Sequence, residues 1–114
     1  MKAGNNEQLQ RLVELSHSCR ATLVQSVPVR ETFRGKLAWE GNVYIFAIEG
    51  NPEARRAYAW YSPIAGSEAR RIVSVLHEGL IRSPVDAVRA AIVAEHKKSH
   101  SLHRASDVSV SSDV

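Results

Sequence analysis

Between Phe33 and Tyr61 the chain gathers all seven of its aromatic residues, Phe33, Trp39, Tyr44, Phe46, Tyr58, Trp60 and Tyr61, most of them in alternating patterns. Aromatic side chains bury large areas and dominate cores and interfaces alike. A segment of this kind is either the inner wall of a fold or a binding face, and its period of two calls for strands. From Glu31 to Glu40, Phe33, Gly35, Leu37 and Trp39 alternate with Thr32, Arg34, Lys36, Ala38 and Glu40. Gly41 and Asn42 suit a two-residue hairpin turn with glycine first, which makes Val43 to Glu49 the returning strand. That closure sets Trp39 opposite Tyr44, Leu37 opposite Phe46 and Gly35 opposite Ile48. On the reverse face Ala38 meets Ile45, Lys36 meets Ala47 and Arg34 meets Glu49. A three-residue turn would set Lys36 against Phe46 and Arg34 against Ile48, so the pattern favours the shorter one.

Gly50, Asn51 and Pro52 break the run, with Asn51 and Pro52 placed like the cap and first residue of a single helical turn before Arg55. A third strand is expected over Arg56 to Tyr61, then a loop over Ser62 to Ala69 that contains Pro63, Gly66 and Ser67. The fourth strand, Arg70 to His77, is centred on Ile72, Val73, Val75 and Leu76. It is apolar on both faces, as in strands covered from both sides.

Helices flank the strands. Asn5 followed by Gln8 resembles an N-cap with its reciprocal partner, and Leu9, Leu12, Val13, Ser16, Cys19 and Leu23 recur at helical spacing. This predicts a first helix from about Asn6 into the low twenties, stopped before Pro28. Ser83, Pro84 and Asp86 supply a cap, a first-position proline and a first-turn acid for a second helix over Pro84 to Lys98. The resulting fold class is α+β, an antiparallel four-stranded meander in the order α-β-β-β-β-α, with both helices on one sheet face. Residues 1–104 form one domain, since 114 residues suffice for a single hydrophobic core. Residues 105–114, rich in Ser, Asp and Val, read as a disordered tail.

Composition narrows the function classes. No stretch approaches the roughly 20 apolar residues of a membrane helix, and the first ten lack the apolar middle of a secretory signal. A cytoplasmic location away from membranes is the expectation. Cys19 is alone, so neither an internal disulfide nor a thiolate zinc cluster can form. Fifteen Lys and Arg against twelve Asp and Glu give +3, and eleven of the fifteen are arginines. Arginine suits bidentate contact with phosphate or carboxylate, which admits a nucleic acid or an acidic partner.

The element order resembles in outline the double-stranded RNA-binding domain, which runs helix, three strands, helix. That family opens its second helix with a lysine cluster for phosphates, where this chain has Ser83, Pro84, Val85 and Asp86, so the resemblance implies no membership. The main expectation is therefore a non-enzymatic interaction module that self-associates as a homodimer through an apolar sheet face. The alternative is a nucleic-acid-binding protein that uses Trp39, Tyr44, Tyr58 and Trp60 with Arg55, Arg56, Arg70 and Arg71. Antiparallel pairing should nevertheless place the two arginine pairs at opposite ends of the sheet. A third reading is a small enzyme with a site near His77, formed with Glu78 and Tyr58 and recognisable by a pocket containing all three. His96, His100 and His103 share a helical face and are weak candidates for a divalent metal. No glycine-rich phosphate loop or metal motif is present, so no cofactor is expected.

Overall fold

The computed structural model describes residues 2–64 and 66–105, with side chains for residues 7–64 and 66–97. Six elements follow in order: α1 (Lys2–His17), β1 (Arg20–Phe33), β2 (Lys36–Glu49), β3 (Arg56–Pro63), β4 (Arg70–Leu76) and α2 (Pro84–Ala105). The strands form one antiparallel meander in the order β1-β2-β3-β4. Helix, four strands and helix are thus as expected, and both helices pack on the sheet. Among the described residues no helix is long and apolar enough to cross a membrane.

The first half of the chain folds differently from its sequence pattern. Helix α1 stops at His17 because Ser18 takes a left-handed φ of 51°. The Cys19 N–H then donates to the Glu14 carbonyl at 3.2 Å. This is a Schellman closure with serine where glycine is usual. The chain turns directly into β1, and the Ala21 N–H donates to Glu14 Oε2 at 2.9 Å.

The hairpin turn falls at Arg34 and Gly35, with φ values of 56° and 82°. Two positive φ angles mark the type I′ geometry that matches strand twist. Gly41 and Asn42 lie inside β2, opposite Val29 and Pro28. The expected turn and its pairings are therefore corrected. Gly41 answers to a different demand: a Cβ there would sit 2.9 Å from Cζ2 of Trp39, so the glycine leaves room for an indole lying along its own strand. The correction also separates the aromatics, because the side chains of Trp39 and Tyr44 lie on opposite faces.

Each face receives one helix. Leu9 and Val13 of α1 pack with Ala21, Phe46, Ile48, Ala57 and Ala59. On the other face Ala87 and Val88 of α2 pack with Val29, Trp39, Val43, Ile45, Tyr58 and Trp60. Alternating residues of β2, β3 and β4 divide between these two clusters, so the helices do not share a face as the sequence reading had it. In β1 a bulge between Leu23 and Gln25 reverses the alternation. Ala21 and Leu23 consequently face α1 while Val27 and Val29 face α2.

Helix α2 begins as expected. Ser83 Oγ accepts from the Asp86 N–H at 3.1 Å, and Asp86 Oδ2 accepts from the Arg82 N–H at 3.0 Å. The helix continues beyond Lys98 to Ala105, and residues 106–114 lie outside the described ones. Asn51 forms no helical turn, but its Oδ1 accepts from the N–H groups of Glu53 and Ala54 at 2.7 and 3.1 Å.

The ladder between β2 and β3 covers only Tyr44 to Ala47. Beyond it the Trp39 indole N–H donates to the Tyr61 carbonyl at 3.1 Å, joining the strands where backbone pairing has ended. The distal β1–β2 arm reaches α2, where Arg89 Nε meets Glu31 Oε1 at 2.7 Å and the Phe33 ring lies 4.8 Å from that of His96.

Candidate functional site

Most of the sequence-selected aromatics are interior. Trp39, Tyr58 and Trp60 are buried under α2, and Trp39 and Trp60 pack as a tilted pair 5.8 Å apart. Tyr44 is half-buried beside the α1 cluster. Base stacking needs an accessible ring face, which three of these four rings do not offer. The arginine pairs separate as antiparallel pairing requires. Arg70 lies opposite Pro63, whereas the His77 N–H donates to the Arg56 carbonyl at the other end of β3. Arg55 and Arg56 are both exposed. Arg71 meets Glu95 at 2.6 Å, and the Arg70 guanidinium lies 4.2 Å from the Tyr61 ring centre.

Tyr58 and His77 do come together, hydroxyl to Nδ1 at 2.6 Å. Burial pushes the phenol above its ordinary range, with the nearby Arg56 charge acting against the shift. The hydroxyl therefore keeps its proton at neutral pH. Among the described residues, the well-formed surface cavities are not lined by Tyr58, His77 or Glu78. The contact pins the end of β4 to β3. His17 makes a similar tie on the opposite face, its Nε2 lying 2.8 Å from Ser74 Oγ. Of the candidate metal ligands, His96 lies against Phe33, and the side chains of His100 and His103 fall outside the described residues. Among the described residues no three His, Cys, Asp or Glu side chains are grouped to hold a metal.

The two outer edges of the sheet differ sharply. The β1 edge carries Pro28, a bulge at Val24 and the charged Arg30 and Glu31. Such features obstruct pairing with another strand. In contrast, β4 pairs with β3 without a register shift and carries Ile72, Val73, Ser74, Val75 and Leu76, all half-buried. The His77 N–H points toward β3. By alternation Ile72, Ser74 and Leu76 therefore turn their backbone N–H and C=O groups outward. Along this edge runs a groove of about 660 Å³, walled by Leu12 and Ser16 of α1 and by Ala91, Ala94 and Lys97 of α2. The apolar run of β4 was visible in the sequence; the α1 wall and the His17 tie carried no signal there.

A second cavity, of about 370 Å³, lies where β2 and β3 part. Trp39, Trp60, Val73 and Val88 line its apolar interior, while Lys36, Arg71, Glu95 and His96 contribute polar groups. The chain matches no protein-family model, no curated protein and no solved structure.

Proposed function

We propose that the protein is a non-enzymatic interaction module whose partner is a second copy of itself, bound through the β4 edge. One observation carries this reading: β4 is an unbulged, apolar, outward-bonding edge, while the other edge of the same sheet is obstructed. An exposed edge of that kind pairs readily with another strand. The contact expected at a sheet face moves to the edge, because each face already holds a helix.

The edge is also self-complementary. A two-fold axis at Ser74 sets Ile72 against Leu76, Val73 against Val75 and Arg70 against Glu78 of the other copy. Apolar side chains meet apolar ones, and opposite charges meet. The same register brings outward-pointing groups opposite outward-pointing groups, as hydrogen-bonded pairs require. An axis at Val73 would instead face Arg70 with Leu76. The product is one continuous sheet of two four-stranded halves.

Sedimentation over a concentration series tests the proposal, with Ser74→Pro as the blocking variant. The Ser74 N–H points away from β3, so proline there removes an edge donor, together with the Oγ tie to His17, without removing a ladder bond. A wild-type dimer and a folded, monomeric variant are expected. A strict monomer at high micromolar wild-type concentration, or a folded variant that remains dimeric, would overturn the proposal. Amide exchange supplies a second reading that needs no variant: Ile72, Ser74 and Leu76 should gain protection as concentration rises.

A further inference from the structure

We infer that the cavity between the β1–β2 arm and α2 is a binding site for a small, flat aromatic monoanion. Its volume of about 370 Å³ lies at the lower end of the roughly 300–1,000 Å³ range of small-molecule sites. The site exists because the β2–β3 ladder stops at Tyr44, leaving the paired indoles of Trp39 and Trp60 beside an opening instead of a continuous sheet. Opposite the indoles, Ala91 and Ile92 of α2 supply an apolar wall. Leu37 borders the opening with 52% of its surface exposed.

Charge selects the ligand's sign. Arg71 and Glu95 neutralise one another across 2.6 Å, and the lining carries one further formal charge, the exposed Lys36 ammonium. With the Arg34 guanidinium 5.2 Å from the lining Phe33 ring, the charge beside this apolar, aromatic-lined cavity is positive and complements an anionic group on a flat ring system. Burial against the apolar lining would supply the affinity, and the Lys36 ammonium the orientation.

The protein contains its own reporter, since Trp39 and Trp60 are its only two tryptophans. Titrating the full chain with 1-anilinonaphthalene-8-sulfonate, with N-phenyl-1-naphthylamine as the neutral counterpart, tests both shape and charge. Saturable quenching of tryptophan emission at one sulfonate per chain is expected, with the neutral probe at least about tenfold weaker, equivalent to 1.4 kcal/mol. Lys36→Glu should weaken sulfonate binding by about the same factor, leave the neutral probe unchanged and preserve the circular dichroism spectrum. Non-saturable binding, equal affinity for the two probes, or indifference to Lys36→Glu in the folded variant would each overturn the assignment. The cavity shares Arg71, Val73, Ala91 and Glu95 with the groove along β4. Folded, monomeric Ser74→Pro should therefore still bind the sulfonate, which separates this site from self-association; loss of binding there would overturn its independence.

Discussion

At Gly41 the tolerance for change is set by the Trp39 indole. A methyl group introduced by Gly41→Ala would meet Cζ2 and Cη2 at 2.9 and 3.1 Å, so the ring must move and its bond to the Tyr61 carbonyl must stretch. A destabilisation of about 1–3 kcal/mol is expected, the usual cost of overpacking. Urea unfolding measures it, and a shifted tryptophan emission should accompany it. His17 introduces a pH dependence. Burial lowers its folded pKa below the ordinary value near 6.5, with the Glu78 carboxylate acting in the opposite direction. Between the folded and unfolded pKa values the unfolded chain binds more protons, so this contribution to stability is present above about pH 6.5 and is lost as pH falls below it. Denaturation midpoints measured from pH 7 down to pH 5 should fall, and His17→Gln should flatten that slope.

The connections are where the elements can be improved. Ser18 and Arg34 both occupy left-handed conformations at φ of 51° and 56°, which cost a residue with a Cβ about 1–2 kcal/mol. Ser18→Gly should stabilise the α1 closure, and Arg34→Asn the hairpin, each by about 1 kcal/mol and each visible as a higher melting temperature. These same positions explain the limits of sequence reading. Arginine announces no turn, whereas Gly41 and Asn42 announce one that does not form, because glycine serves close approach as well as reversal. The strands β3 and β4 and the start of α2 were legible, since Pro, Gly and Ser bound them and no bulge interrupts their pairing. In β1 the bulge at Val24 and the serine closure at Ser18 erased the period on which such reading depends.

For the molecule as a whole, self-association makes stability depend on concentration. The apparent melting temperature of the wild type should rise with protein concentration while that of Ser74→Pro stays constant, because only the folded state can pair through β4. A concentration-independent wild type would count against the edge contact. Sequence by itself determined the inventory of this protein: two helices around a four-stranded meander, an aromatic centre, and a fourth strand apolar on both sides. These follow from periodicity and turn chemistry, which are local. Which side of the sheet each aromatic residue takes, which edge is obstructed, and where two strands part around a cavity were decided by the tertiary structure. A single bulged residue or displaced turn reverses every later side chain in a strand, and only packing against both helices selects among the alternatives.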